Sequence, residues 1–253
     1  MLLINIAIFS PITLTCLALI MIIISPMVAN AETPPVDAPL QLEVKQLDGT
    51  QHALGDIRFD TAARTIHFPA IVNMTEGAIE FALVGTQGKT HESVFATNIR
   101  PLHLRTVLSL LDFEPTSAFT ETESKAKETP QTPSLVEIAV TWTEEPKGTA
   151  KKRISLRESI VVMEFEEISE FDEKVHLNPL PKGPWDYTGS RVDKAGFEAE
   201  RELDFIAVQR RPSALFNLPH HKTDRDDLWQ ANPKALPPMN TAVTIEITLP
   251  KTE

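Results

Sequence analysis

RTIHFPAIVNMTEGAIEFALV, residues Arg64 to Val84, contains two runs in which apolar side chains recur at every second position. The recurring apolar positions are Ile66, Phe68, Ala70 and Val72 in the first run, and Ile79, Phe81 and Leu83 in the second. A period of two is typical of half-buried strands, because successive side chains of a strand point to opposite faces of the sheet. We therefore predict two neighbouring strands joined by a turn at 73–77.

The period changes between Pro101 and Phe113, where the apolar side chains recur at helical spacing. They are Leu104, Val107, Leu108 and Leu111. Pro101 suits the first turn of a helix, and Asn98 is a candidate for the N-cap. This segment predicts one amphipathic helix that packs on the strands.

Further strand-like runs follow at Leu135–Trp142, Ile154–Phe165, Trp185–Val192, Phe197–Glu202, Leu203–Gln209 and Val243–Leu249. Ile154–Phe165 also fits a short helix, and Asp193–Gly196 has the composition of a hairpin turn. Because most strands are neighbours in the sequence, antiparallel pairing is expected. The sequence predicts a mainly β (α+β) fold, in which an antiparallel β domain resembling a β-sandwich carries one packed amphipathic helix.

The first 31 residues contain no charged side chain, and Leu2–Ile24 is strongly apolar. Ser25-Pro26 ends the apolar run, and Ala29-Asn30-Ala31 matches the small residues of a signal peptidase site. The apolar run is also long enough to span a bilayer if it is not cleaved. Residues 1–31 are therefore a signal peptide or an N-terminal anchor.

Residues 32–253 are expected to form a single β-rich domain after a Pro-rich leader at Glu32–Leu40. A low-complexity stretch at 115–134, rich in Thr, Ser, Glu, Lys and Pro, interrupts this domain. It lacks the apolar residues that a packed element needs, so we predict a flexible surface loop.

The composition excludes several classes of function. The formal net charge is -11, which disfavours nucleic-acid binding because such proteins need a basic patch or stripe. Cys16 is the only cysteine, so the processed chain has no thiol for disulfides, thiolate metal sites or nucleophilic catalysis. No cofactor is expected.

GTQGKTHES, residues 85–93, resembles the end of a phosphate-binding loop, but its glycine spacing is wrong for one. We predict a hairpin turn at Val84–Lys89, with Lys89 as a solvated cation. On a following strand, Lys89, His91 and Ser93 share one face and Glu92 points to the other. A candidate acid–base or anion-binding cluster therefore comprises Lys89, His91, Glu92, Ser93 and His103, and a solvated hairpin end is the alternative.

Two other segments contain residue types that suit binding sites. Asp224, Asp226 and Asp227 follow His220-His221 and are weak candidates for metal binding, although they also suit the cap of a short helical turn. Trp185 and Tyr187 alternate onto one face next to Gly189. They are a candidate aromatic surface, and core packing is the alternative.

Three stretches together resemble the YdjY-like family of exported bacterial proteins. They are FPAIVNMTEGAIEFALVGTQGKTHESVFATNIRPLHLRTVLSLL (68–111), PKGPWDYTGS (181–190) and DRDDLWQANPKALPP (224–238). The resemblance covers nearly all of the chain apart from the N-terminal leader and the loop. It implies an exported domain whose function is unsettled.

Two functions are consistent with these features. The first is an exported, non-catalytic binding or interaction domain of the bacterial envelope, whose partner is an unknown protein or envelope component. It would contact the membrane only through an uncleaved N-terminal segment. The alternative is a metal-dependent or acid–base enzyme using His91, His103 and Asp224–Asp227, which requires these distant segments to converge on one pocket.

We predict that the processed chain begins at Glu32, because the Ala-x-Ala pattern follows a helix-breaking Ser-Pro. Intact mass measurement and N-terminal sequencing of the protein from its host test this directly. Recovery of residues 1–31 in the membrane-bound protein would instead establish an anchor.

Overall fold

A computed structural model describes residues 42–116, 132–144, 150–169, 172–219, 223–225 and 227–251. The predicted signal or anchor (1–31), the leader and positions 117–131 of the predicted loop lie outside these residues. The strands are β1 (Val44–Asp48), β2 (Gln51–Leu54), β3 (Ile57–Asp60), β4 (Thr65–Val72), β5 (Phe81–Gly85), β6 (Ser93–Thr97), β7 (Leu135–Thr143), β8 (Lys151–Ser155), β9 (Ile160–Ser169), β10 (Asp172–Pro179), β11 (Trp185–Tyr187), β12 (Val192–Asp193), β13 (Gly196–Phe197), β14 (Asp204–Ala207), β15 (Phe216–Asn217), β16 (Trp229–Ala231) and β17 (Ala242–Thr248). The helices are α1 (Pro101–Leu110) and α2 (Glu198–Glu202).

Eight strands close into a barrel in the order β4-β17-β7-β11-β15-β14-β5-β6, and β6 pairs again with β4. The predicted mainly β class is confirmed, but the sandwich-like arrangement is wrong. β1, β2 and β3 extend the sheet from β4 as a meander, and β8 pairs with β7 beside the barrel. A separate sheet has the order β10-β9-β16.

The predicted alternation of β4 and β17 is confirmed, because their apolar positions form part of the buried core. These strands pair antiparallel in unbroken register from Ala242↔Ile71 to Thr248↔Thr65. β7 pairs with the other edge of β17, for example at Ile245↔Val140. Apolar side chains from adjacent strands therefore lie level with one another inside the barrel, which is the arrangement that cross-strand packing favours.

Six of the eight barrel pairings are antiparallel, as expected for a mainly antiparallel domain, and two are parallel. β5 pairs with β6 from Phe81↔Ser93 to Gly85↔Thr97, so the predicted hairpin at Val84–Lys89 is wrong. The connection 86–92 has seven residues, although parallel neighbours usually need a crossover of about a dozen residues or more. β14 and β15 form the second parallel pair.

The helical predictions are confirmed in part. α1 begins at Pro101 and buries Leu104, Val107 and Leu108. Asn98 does not cap it: Arg100 is the N-cap residue, and the Asn98 side chain accepts a hydrogen bond from Thr86 instead. The segment expected to be a strand at Phe197–Glu202 is the second helix, α2, which follows the confirmed Asp193–Gly196 turn.

The ambiguous segment 154–165 contains both of the elements considered for it. Leu156–Ser159 forms a short 3-10 turn with a capping-box sequence, in which the Glu158 carboxylate accepts the Ser155 amide over 2.7 Å. β9 begins immediately afterwards at Ile160. This bond gives the Ser155 amide a partner at the point where β8 ends and the turn begins.

Thr116 and Ser134, which flank the undescribed residues 117–131, are fastened to each other and to β11. The Ser134 amide donates to the Thr116 hydroxyl over 2.6 Å, and the Thr116 hydroxyl donates to the Asp186 carboxylate over 2.5 Å. The Thr116 amide also donates to the Tyr187 carbonyl, and the Tyr187 amide donates to the Ser134 carbonyl, each over 2.8 Å. We refer to this set of bonds as the clasp.

Replacing Gly189 beside the clasp should destabilise the fold. Its φ is +81°, and an added Cβ would lie 2.4 Å from the Cβ of Pro115. We expect Gly189→Ala to lower the free energy of unfolding by about 2–4 kcal/mol, combining overpacking with backbone strain. Urea denaturation measures the loss.

Gly196→Ala is the matched control, because Gly196 also has positive φ (+106°) but a Cβ there meets nothing within 4 Å. It should lose only the stability that the strained backbone conformation costs an L-residue, about 1–2 kcal/mol. Equal losses in the two variants would show that the contact with Pro115 contributes nothing.

Candidate functional site

Gly85 at the end of β5 and Gly88 in the connection 86–92 allow this part of the chain to pack closely on Leu203. An added Cβ on Gly85 would lie 2.8 Å from the Cβ of Leu203, and one on Gly88 would lie 3.2 Å from the same atom. The Gly85 amide donates to the Leu203 carbonyl over 2.8 Å. Both glycines therefore serve contact between two chain segments, and we find no role for them in binding phosphate.

Lys89 is the centre of a partly buried ion cluster. Its Nζ lies 3.0 and 3.1 Å from the two carboxylate oxygens of Asp204 and 3.1 Å from Oε2 of Glu202. The Asp204 side chain is fully buried and also accepts a hydrogen bond of 2.5 Å from Ser213. The expectation that Lys89 is a solvated cation is wrong, because it neutralises a buried carboxylate.

Burial has opposite effects on the two members of this pair. It dominates at Asp204 and raises the pKa of the carboxyl, although the hydrogen bonds from Ser213 and Lys89 act to lower it. Burial acts to lower the pKa of Lys89, but hydrogen bonds and charges from Asp204 and Glu202 together raise it above its usual value. The lysine is therefore held in its charged form, and its charge favours the ionised form of the buried Asp204.

The rest of the predicted polar cluster does not share one face. Thr90–Glu92 forms a 3-10 turn, so the expected strand geometry at these positions is wrong. The His91 side chain is 79% exposed, and its Nε2 lies 3.7 Å from Glu92. Ser93 is buried and donates its hydroxyl to the Phe95 carbonyl. Burial and the nearby Glu80 raise the pKa of Glu92.

The enzyme alternative requires His103 and the Asp224–Asp227 segment at one site, but the described residues of these two segments contact different neighbours. His103 lies on α1 against Gly55, and burial followed by the charge of Arg100 lowers the pKa of its imidazole. Asp227 is exposed and paired with Arg225. Asp226 and His220-His221 lie outside the described residues.

Within the part of the chain that the structure describes, no group of three or more His, Cys, Asp or Glu side chains is arranged to hold a metal. The described members of the proposed set therefore do not form a metal site.

Trp185 and Tyr187 do not form a surface, because both side chains are buried in the core. Tyr187 stacks on Phe113 with the ring centroids 5.8 Å apart, and burial raises the pKa of its hydroxyl to about 12. The neighbouring Gly189 allows Pro115 to approach the chain, so no ligand is needed to explain it.

A groove of about 1140 Å³ lies where the end of β7, β8, the start of β17 and residues 234–238 meet. Its apolar lining includes Trp142, Ile154 and Leu236, which are partly buried and pack against the core. Its cationic lining residues are exposed, and they are Lys151, Lys152, Arg153 and Lys234. We call this feature the basic groove.

Two carboxylates also line the basic groove. Glu144 lies 3.6 Å from Lys152. Glu158 accepts the Ser155 amide of the capping box and lies 3.6 Å from Lys182. Arg153 donates to Glu246 over 2.7 Å and Lys152 is paired with Glu144, so Lys151 and Lys234 add a modest positive charge to the lining.

β9 (Ile160–Ser169) and β10 (Asp172–Pro179) pair as a long two-stranded ribbon. β16 pairs only with its first residues, from Ala231↔Ile160 to Trp229↔Val162. Cross-strand partners Phe165↔Val175 and Met163↔Leu177 lie on one face of the ribbon. Phe165, Val175 and Leu177 are 47%, 51% and 54% exposed. The ribbon therefore presents an apolar face beyond the residues that pair with β16.

The other face of the ribbon is polar. Asn178 donates to Glu164 over 2.7 Å, and the His176 Nε2 lies 2.8 Å from Glu166. These cross-strand pairs give the polar side chains partners within the ribbon. No element among the described residues covers the apolar face.

The ribbon and the basic groove were not among the predicted sites. The signal for the ribbon was the alternation of Met163 and Phe165 with glutamates, repeated in Val175 and Leu177. The signal for the groove was the run Lys151-Lys152-Arg153 in an acidic chain. Neither run contains the residue types of a catalytic motif, and a sequence pattern does not tell which face of a strand stays uncovered.

The fold and these surfaces define a barrel domain that carries a projecting apolar ribbon and a basic groove. The chain belongs to the YdjY family, because the family model described as the YdjY domain matches residues 57–248. This confirms the resemblance seen in the sequence. No curated protein and no solved structure matches the chain significantly.

Lys89→Ala should be strongly destabilising. Removing the lysine leaves the buried Asp204 charge without its partner, and such a loss costs about 3–5 kcal/mol. Because Asp204 becomes neutral at low pH, the difference from the wild type should shrink as the pH falls through the raised pKa of this carboxyl. Urea denaturation at several pH values tests both statements.

The double variant Lys89→Ala/Asp204→Asn is the control, because the amide keeps the size of Asp204 without its charge. It should recover most of the stability lost at neutral pH. If Lys89→Ala alone is as stable as the wild type, the pair does not hold the connection 86–92 in place.

Proposed function

We propose that this chain is an exported, non-catalytic interaction domain of the bacterial envelope, which binds a protein partner through the apolar face of the ribbon. The N-terminal pattern of an apolar run followed by Ala-x-Ala supports export. Among the described residues, no helix is long and apolar enough to cross a membrane. The only cysteine, Cys16, lies within the predicted signal.

The observation that carries the proposal is the exposure of large apolar side chains on one projecting element. Three such side chains, Phe165, Val175 and Leu177, lie on one face of the ribbon, and Ile168, which is 59% exposed, lies at the irregularity of the ladder beyond Glu167. Single exposed apolar residues are ordinary on a protein surface, but a contiguous group marks an interaction site. An aromatic residue at its centre, such as Phe165, is the kind of side chain that anchors an interface.

The charge of the ribbon indicates the chemistry of its partner. Residues 163–174 contain six acidic residues and a single lysine. This acidic sequence favours a partner that carries basic groups beside the apolar contact. The same charge disfavours contact with the anionic headgroups of a membrane.

A photo-crosslinking amino acid in place of Phe165 tests the proposal in cells that produce the full chain. We expect an adduct with a protein partner after illumination, because this side chain would lie in the contact. Position Lys194, in the exposed turn between β12 and β13, is the matched control and should give none.

The variant Phe165→Ser/Leu177→Ser gives a second measurement. It should abolish the adduct formed through a crosslinker at Val175 while the thermal midpoint stays nearly unchanged, since both side chains are exposed. Equal adducts from positions 165 and 194, or none from 165, would contradict a role for the ribbon.

A further inference from the structure

We propose that Lys89 and Asp204 become joined by an amide bond between the lysine Nζ and the aspartate carboxyl carbon, with Glu202 as the proton carrier. The bond would be a modification of the folded chain by its own side chains. It is independent of the interaction function proposed above.

The two groups lie at reacting distance. The Lys89 Nζ is 3.0 and 3.1 Å from the two carboxylate oxygens of Asp204. Because it is nearly equidistant from both oxygens, it lies within about 3.5 Å of the carboxyl carbon, which is a near-attack distance. Groups held in this way react as if at concentrations of roughly 10⁵–10⁸ M. A condensation that does not proceed between free molecules in water therefore becomes feasible here.

A second carboxylate stands beside the pair. Oε2 of Glu202 lies 3.1 Å from the Lys89 Nζ. Leu203, between Glu202 and Asp204, has a left-handed backbone conformation (φ +59°), which is unfavourable for a residue with a side chain. Across this turn both carboxylates reach the same lysine. Backbone strain of this kind is concentrated at functional sites.

The surroundings of the pair disfavour charge. The Asp204 side chain has no exposed surface, and the Lys89 Nζ lies 5.4 Å from the centre of the Phe81 ring. Phe81 belongs to a buried apolar cluster with Val84, Ala207 and Ala214. Burial acts to raise the pKa of Asp204 and to lower the pKa of Lys89. Both effects favour a neutral amine beside a neutral carboxyl, although the attraction between the charges keeps the ion pair as the major form.

The reaction needs only the minor neutral form, because it occurs once in the life of each chain. One ammonium proton passes from Lys89 to the Asp204 carboxylate. The neutral amine attacks the carboxyl carbon, and Glu202 carries a second proton from the nitrogen to the departing hydroxyl. A C–N bond forms, a C–O bond breaks and water leaves, while the third proton stays on the amide nitrogen. The step requires no oxidant and no cofactor.

The bond would fasten the connection 86–92 to β14 permanently. It would join two positions that are 115 residues apart in the sequence. Like a disulfide, it would restrict the unfolded chain and so favour the folded one. Cys16 is the only cysteine, so residues 32–253 have no disulfide of their own to serve this purpose.

Tryptic digestion and tandem mass spectrometry of protein purified from cells that produce the full chain test the proposal. Trypsin does not cleave after an acylated lysine, so we expect a branched peptide that joins residues 65–105 to residues 202–210. Its mass should be that of the two peptides less one water, and fragmentation should place the junction at Lys89 and Asp204. Unbranched peptides of full mass, with cleavage after Lys89, would overturn the proposal. The wild-type digest alone gives this answer.

Two variants assign the roles of the side chains. Lys89→Arg keeps a cation against Asp204 but has no amine, so it should give no branched peptide. Glu202→Gln keeps both reacting groups, and the branched peptide should form at least about tenfold more slowly after synthesis is induced. A branched peptide in Lys89→Arg would overturn the bond, and an unchanged rate in Glu202→Gln would overturn the role of Glu202. The stability comparisons for Lys89 described above concern the ion pair and apply to chains in which digestion shows no amide.

Discussion

The pairing of β6 with β4 closes the barrel, and it depends on how the chain returns from the end of β5. Ile71↔Ala96 and Val72↔Phe95 are the registers of closure. β6 can pair with β4 in this register because the connection 86–92 runs back along β5, so that β6 begins level with Phe81. Lys89 fixes this connection to Asp204, and Gly85 and Gly88 let it lie close to Leu203. One partly buried ion pair therefore helps to set the topology of the whole sheet.

Sequence patterns predicted the strands far better than the connections between them. The alternation in β4 and β17 follows from burial of one face, so it is written directly into the residue types. The residue types do not encode the direction of β6, because a short link of seven residues between two strands usually makes a hairpin. Here the connection is held by the contact of Lys89 with Asp204, which lies 115 positions further along the chain. Such a contact leaves no local pattern.

The candidate sites were likewise predicted poorly, because they depend on contacts between distant parts of the chain. Polar residues that stand together in the sequence, such as Lys89, His91 and Ser93, point in different directions once residues 90–92 form a 3-10 turn. The aromatic pair Trp185 and Tyr187 fills the core. The surfaces that remain uncovered, the ribbon and the basic groove, consist of ordinary alternating or basic residues. Only the arrangement of the other strands shows that nothing in the described chain covers them.

The clasp has a consequence for how this domain can change over evolutionary time. Thr116 and Ser134 are separated by 17 intervening residues, yet a hydrogen bond joins them directly, and both are bonded to β11. The geometry at the barrel wall is thus set by the clasp and not by the length of what lies between its two ends. We expect a foreign epitope or a reporter domain inserted at that point to leave the register of β7 and β11 intact, since closing a longer loop costs little.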